Sequence, residues 1–500
     1  MKTIFETSIP GRPGVWPDEP HKRAQDMLPA ELLRGKKPDL PELSELDVVR
    51  HFTALSRLNF GVDTHFYPLG SCTMKYNPKH LEHVAALPGF TDLHPLAAQL
   101  KGAGQYTQGA LEVMYELERL LCEITGMAAY TLHPMAGAHG ELTGAMIIAA
   151  YHKKQGNQKT KVICPDSAHG TNPSSAAIAG FDVVNIESRD GIIDPAALAE
   201  VLDDETAALM MTCPNTLGLF EDHLQEIVAM LREKDALLYY DGANMNAIMG
   251  KLKVGDAGFD VVHLNLHKTF GTPHGAGGPG SGPVGVCEKL TPFLPISRVV
   301  KLEDGRYFLD YNHPDSIGYM APFYGNFGVA LKAYAYILRL GREGLIRVSE
   351  HAVLAANYLR KKLEHVLEIP FNRVCMHEFV ASAVQQAEKG VRAVDIAKAL
   401  LDKGHHAPTI YFPLIVKECL MVEPTETESR ETLDLFVDDL VDILERADNY
   451  PEAVTGAPIT MPVGRLDETK AARDMAVTWD LARELDEKQA QKPAPAADDA

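Results

Sequence analysis

A chain of 500 residues with 46% apolar content can support two or three domains and a large core. A formal net charge of −20, with no basic tract to offset it, argues against nucleic acid and anionic membrane surfaces as partners. Met1–Thr7 has no apolar signal segment, no apolar run nears the roughly 18 residues of a membrane span, and the seven cysteines form no CxxC pair, so a reduced cytoplasmic protein is expected.

Residues 1–75 read as a proline-rich arm with one helical stretch at 42–58, of the kind that wraps a partner or simply stays flexible. From 76 to 332 strand and helix patterns alternate. Apolar strands end at Leu132, Cys164, Ile186, Thr212, Tyr240, Leu266 and Val286, with helical stretches such as 195–202 and 225–234 between them. That alternation predicts a large, mainly parallel α/β domain. A helix at 328–340 leads to a smaller α/β region, 333–450, with helices at 348–363 and 393–401 and strands at 377–383 and 420–423. Past Tyr450 the signals fade, and the Pro/Ala/Asp-rich end, 491–500, is expected to be disordered.

Four places along this frame carry chemistry. Lys268 follows the buried-strand pattern of Asp260–Leu266 and precedes a loop with seven glycines in the fifteen positions from Gly271 to Gly285. A lysine amine emerging at a strand end beside an anion-binding loop suits Schiff-base chemistry, where burial favours the neutral amine. Taken alone, it could equally be a surface lysine of a hairpin. Asp241 ends the apolar run Leu237–Tyr240, 27 residues before Lys268, about one crossover of a parallel sheet. An acid there can face a protonated ring nitrogen, or merely form an Asp-Gly turn. His133–Glu141 opens a helix with small residues, so Gly137 and Ala138 could offer amides to a phosphate, although such starts also serve packing. His169 stands just past the strand ending near Cys164 and could stack on a cofactor ring or hydrogen-bond within its loop. Together, in this order, the four suggest pyridoxal phosphate. No metal site is expected, since His405 and His406 are adjacent and lack partners at ligand spacing.

Longer strings carry a resemblance. Tyr67–Lys75 (YPLGSCTMK), Asp166–Pro173 (DSAHGTNP), Asp241–Asn246 (DGANMN), His263–Phe270 (HLNLHKTF) and Leu420–Glu428 (LMVEPTETE) are similar to the glycine decarboxylase P-protein family of the glycine cleavage system, and the similarity runs from about Phe60 to about Leu444. That family occurs as one long chain of two homologous halves or as two subunits. This sequence resembles the lysine-bearing C-terminal half. The resemblance implies a fold-type-I pyridoxal-phosphate enzyme, with a large mainly parallel α/β domain and a smaller C-terminal one, and sites near a subunit interface. It implies glycine as substrate, decarboxylation, and transfer of the aminomethyl group to the lipoyl arm of an H-protein. It also implies a homologous partner subunit, two copies of each.

On this reading Lys268 bears the cofactor, Asp241 pairs with its ring nitrogen, and His169 stacks on the ring. Gly137 and Ala138 bind its phosphate, and Thr269 bonds the phosphate or the lysine linkage. Ser71, Thr73, His406 and Thr409 are candidates for the substrate site or for fixing local structure. Two rival readings stay open: another pyridoxal-phosphate decarboxylase or lyase, which would share Asp241 and Lys268, and a non-catalytic scaffold subunit, which would be free to lose the lysine.

Overall fold

The computed structural model describes residues 2–12, 14–15, 23–36, 38–100, 104–168, 170–275, 280–473 and 475–490. His169 and the segment 491–500 therefore lie outside the described residues. The chain divides into two compact units, residues 1–61 and 62–500.

In the first unit, helix α1 (Glu45–Ser56) begins at a reciprocal cap. The Asp47 amide donates to Ser44 Oγ at 3.2 Å while Asp47 Oδ2 accepts from the Ser44 amide at 3.3 Å, satisfying two otherwise open helix-end donors. Arg12 adds an ion pair to Asp47 at 2.9 Å. No residue of α1 is buried, and Leu46, Val49 and Phe52 are each more than half exposed.

The second unit is built on a seven-stranded sheet. Its strands are β1 (Ala129–Thr131), β2 (Lys161–Pro165), β3 (Asp182–Ile186), β4 (Thr206–Thr212), β5 (Leu237–Gly242), β6 (Val261–Leu264) and β7 (Val284–Val286), in the spatial order β1-β7-β6-β5-β4-β2-β3. The block from β6 to β3 is parallel, and β7 pairs antiparallel with both β6 and β1. All seven strands end within two residues of their predicted ends.

The central strands are apolar throughout because both faces are covered. Leu209, Met211, Leu238, Tyr240 and Val262 join one core with Leu117 and Leu121 of α2 (Gln108–Thr125). Their alternates Ala208, Met210, Leu237, Tyr239 and Val261 join another with Ile147 and Ile148 of α3 (Gly137–Gln155). Glycines let α3 lie close to the sheet: a Cβ at Gly144 would sit 2.4 Å from the Tyr239 ring, and one at Gly140 2.7 Å from the Gly282 carbonyl.

Beyond the one-turn helix α4 (Leu266–Thr269), a long helix α5 (Phe327–Leu363) serves both lobes of this unit. Val329, Ala333 and Ile337 pack into the large core, and Ala355, Ala356, Leu359 and Leu363 into the small one. Gly341 (φ +58°, ψ −175°) breaks the helix between them. The small lobe has an antiparallel sheet of β8 (Phe379–Ser382), β9 (Thr409–Ile410) and β10 (Cys419–Val422), with β10 central, backed by α6 (Ala393–Asp402) and α7 (Arg430–Asn449).

The division at Gly61 places residues 62–75, which the sequence pattern assigns to the arm, in the second unit. Phe66 bridges to His405 and Leu69 to Val422, so the segment extends the small lobe's hydrogen bonding. Among the described residues no helix is long and apolar enough to cross a membrane.

Candidate active site

The parallel strands direct their carboxyl ends toward the start of α3, where ligands of open α/β sheets bind. There a cavity of about 190 Å³ is lined by Gly137, Ala138 and Glu141 of α3, Thr171, Thr212, Thr216, Asp241 and Ala243, then Asn265, His267 and Lys268, with Ser71 from the Tyr67–Lys75 segment. Lys268 is partly buried on α4, the single turn that follows β6.

Asp241 is held from several sides. Its Oδ2 accepts from Asn172 Nδ2 at 3.0 Å and Thr212 Oγ1 at 3.2 Å, and its Oδ1 accepts from the Ala243 amide at 3.0 Å. His263 Nε2 lies 3.3 Å from Oδ1, and Tyr239 OH meets His263 Nδ1 at 2.6 Å. Burial alone would raise the Asp241 pKa, but the His263 charge, the Ala243 amide, the Lys268 charge and the Asn172 bond hold it below the ordinary value. A fixed carboxylate is what a protonated pyridine nitrogen needs opposite it.

Glu141 behaves oppositely. Burial, and then the Asp241 charge, push its pKa up to about 8 against the Thr171 hydrogen bond and the Lys268 charge, so it carries a proton at neutral pH. Relative to the ordinary 4.5, the folded protein keeps this proton longer than the unfolded chain does. This contribution to stability is therefore greatest below pH 4.5, declines as pH rises, and is lost above about 8. In urea unfolding of the cofactor-free protein between about pH 5.5 and about pH 8.5, Glu141→Gln should remove a component of a few kcal/mol, at roughly 1.4 kcal/mol per pH unit. Equal pH dependence in both proteins would contradict this.

His267 and His274 are neutral. Burial, then His274 and Lys268, push His267 down to about 3, and burial and Lys268 lower His274. At the start of α3 the first-turn amides, Gly137 and Ala138 among them, have no helical acceptors and face a place suited to an anion. A Cβ at Gly137 would lie 2.6 Å from Asn265 Oδ1, so the cradle needs glycine there.

Pyridoxal phosphate fits this set. Amides stand ready for its phosphate, a fixed carboxylate for its ring nitrogen and Lys268 for its aldehyde. Asn265 Oδ1, a buried acceptor in the wall, has no hydrogen-bond partner among the described residues.

Thr269 is buried next to Lys268, its hydroxyl without a partner among the described residues, and it does not line the cavity. Of the four candidates for the substrate site, only Ser71 does. Tyr67 stacks on His406 at 3.7 Å, and Thr409 Oγ1 donates to the Gly70 carbonyl at 2.8 Å, so both residues dock the segment onto the small lobe.

Ser71 and Thr73 adopt left-handed backbone (φ 60° and 50°), which costs non-glycine residues about 1 kcal/mol or more each. Two fully buried acids compensate. Glu378 Oε2 accepts the Ser71 amide at 2.7 Å, and Glu423 Oε2 accepts the Cys72 and Thr73 amides at 3.1 and 2.8 Å. Glu423 Oε1 also takes the Thr73 hydroxyl at 2.5 Å.

Sequence reasoning missed Glu141, Thr171, Thr212, Thr216, Asn265 and His267 as lining groups. Glu141 was within reach, one helical turn beyond Gly137 on the same face. Nor did it anticipate two buried groupings with atoms within 4.8 Å of one another, Glu141 with Asp241 and His263, and His377 with Glu378 and Glu423.

The family described as glycine cleavage system P-protein matches residues 25–305, more than half of the chain, and the glycine dehydrogenase C-terminal domain matches 348–457. The chain belongs to the glycine cleavage system P-protein family. A probable glycine dehydrogenase (decarboxylating) subunit 2 of Caldanaerobacter subterraneus subsp. tengcongensis is 58% identical over 95% of this chain and 98% of its own. Its counterpart in Listeria monocytogenes serotype 4b is 56% identical over 95% and 97%.

Among solved structures, an inhibitor-bound glycine decarboxylase (P-protein) of the glycine cleavage system aligns with a TM-score of 0.70 at 20% identity, covering 84% of this chain and 95% of that one. A Lactobacillus brevis glutamate decarboxylase aligns at 0.64 and 15%, covering 83% and 96%. These likenesses show that this P-protein family member shares their α/β fold.

Proposed function

We propose that this chain is the lysine-bearing subunit of a two-subunit glycine decarboxylase. It releases the carboxylate of glycine as carbon dioxide and passes the aminomethyl group to the lipoyl arm of an H-protein, whose disulfide is reduced. The observation that carries this reading is the meeting of Lys268, ionised Asp241 and the open amides of α3 in one cavity.

Pyridoxal phosphate, when bound, supplies an aldehyde for Lys268 and a ring that accepts the electron pair left by the departing carboxylate. Gly137 and Ala138 hold its phosphate through their amides. Asp241, fixed by Asn172, Thr212 and the Ala243 amide, keeps a proton on its ring nitrogen. Protonated Glu141 offers a donor from the cavity wall without adding negative charge beside Asp241. Thr269 and the residue outside the described set, His169, retain their proposed roles beside the lysine linkage and over the ring. Ser71 reaches the cavity from the small-lobe side and meets the substrate.

The partner is a homologous subunit without the lysine, two copies of each, in the cytoplasm. The "subunit 2" in the relatives' names and the exposed apolar residues of α1 support a chain that works in a larger assembly. A scaffold role would leave Lys268 and Asp241 without a purpose. Purified alone and assayed with pyridoxal phosphate, glycine and lipoylated H-protein, the chain should show negligible glycine-dependent carbon dioxide exchange until the partner subunit is added. Full exchange by a well-behaved homodimer would remove the two-subunit reading.

A further inference from the structure

The Tyr67–Lys75 and Leu420–Glu428 segments meet beneath the catalytic lysine at a group the mechanism above does not use. Lys75 is 2% exposed. Its ammonium donates to the Thr269 carbonyl at 2.5 Å, to Glu426 Oε1 at 2.7 Å and to Tyr336 OH at 3.1 Å, which uses all three of its donors. The Lys75 and Glu426 side chains are 2% and 6% exposed, and the pKa of Lys75 is raised because the Glu426 charge, with Tyr336, outweighs burial. Tyr336 belongs to α5, and its ring packs where a Cβ at Gly271 would lie, 2.4 Å away.

One of these contacts bears on Lys268. The Thr269 carbonyl is the next one along the chain from Lys268, at the end of a helix of only four residues. That turn has few bonds of its own: the Lys268 and Thr269 amides both reach the Asn265 carbonyl, at 3.0 and 3.1 Å, and the Phe270 amide reaches Leu266 at 3.1 Å. A single turn does not hold its shape unaided, so its position comes from what grips it. A buried cation at its carboxyl end is such a grip.

We propose that Lys75 is a positioning residue for Lys268, holding the turn that carries it through the Thr269 carbonyl while Glu426 supplies the counter-charge. The proposal rests on the reading of Lys268 as the cofactor-bearing lysine. That reading is tested separately by borohydride reduction of the unmodified protein, where label on another lysine would defeat it whatever the Lys75 variants do.

Lys75→Met alone would strand a buried carboxylate and could prevent folding, so the informative protein is Lys75→Met with Glu426→Leu, which removes both charges together. Full-length chain, co-expressed with the partner subunit and loaded with pyridoxal phosphate, is compared with wild type by thermal midpoint, visible circular dichroism of the bound cofactor and glycine kinetics. The expected result is a midpoint near wild type, an altered visible dichroism band and a kcat lower by about 10- to 100-fold, with KM for glycine within about threefold. Wild-type dichroism and kcat in the double variant would overturn the proposal and leave the pair a fold-stabilising one. Should the double variant not fold, Lys75→Gln with Glu426→Gln decides, because it removes the same two charges while keeping polar side chains of similar volume. An altered band there supports the proposal, and a wild-type band would overturn it.

Discussion

Lys268→Ala should abolish the visible absorbance of bound cofactor and lower glycine decarboxylation by about 10³-fold or more, with the fold intact. The residue stands partly buried on a cavity wall, so truncating it empties no core. Its charge is also felt across the cavity, lowering the pKa of both Glu141 and Asp241. The loss should therefore exceed that of a severed attachment point, since the surrounding acids lose their nearby cation. An absorbance scan, far-ultraviolet circular dichroism and peptide mapping after borohydride reduction test the three parts. Label on any other lysine of the wild-type protein would end the assignment.

Asp241→Asn is expected to retain cofactor in part yet slow turnover by about 10²- to 10³-fold, the size of effect seen when one fixed electrostatic group is removed. An amide is nearly the same shape, so the phosphate cradle and Lys268 stay in place. What changes is charge. Asn172 and Thr212 now donate to a neutral group, and His263 loses the carboxylate 3.3 Å from its Nε2. A neutral amide cannot keep the ring nitrogen protonated, so the electron sink weakens while binding persists. Single-turnover rates separate the two effects, and near-normal turnover would take Asp241 out of the mechanism.

How far the chain announced this arrangement depends on how each part is buried. The strand Thr206–Thr212 is buried along its whole length, and such two-sided burial writes a continuous apolar run that any reader of the pattern finds. The strand Thr409–Ile410 has two residues and leaves no run to find. Patterns at 328–340 and 348–363 read as two helices, and in the structure Gly341, whose backbone is not helical, separates the two segments. Lys268, Asp241, Gly137 and Ala138 were legible because strand ends and helix starts are where sequence pattern and chemistry coincide. Glu141 was passed over although its helical spacing from Gly137 put it within reach, since a glutamate within a helix ordinarily means a solvated face. The Tyr67–Lys75 segment was visible as a motif, with Ser71 and Thr73 as candidates for the site, but its extended backbone has no periodicity to tell which of the two reaches the cavity. The carboxylates that accept its amides and the Lys75 ammonium lie 307 to 351 positions along the chain.

That separation fixes when the site can exist during synthesis. The left-handed turn at Ser71–Thr73 is tolerable only once Glu378 and Glu423 receive its amides, and those acids emerge more than 300 residues after it. Until then the turn has strained backbone and no acceptor to offset it, so it has no reason to hold its final shape. Closing loops of that length is slow compared with pairing neighbouring strands. The large sheet can therefore assemble while the chain is still growing, with β5 and α3 already aligned. The wall that brings Ser71 to the cavity forms last, when the small lobe docks. A truncated or stalled chain would carry Asp241 and Lys268 on a finished sheet and still lack one side of the pocket.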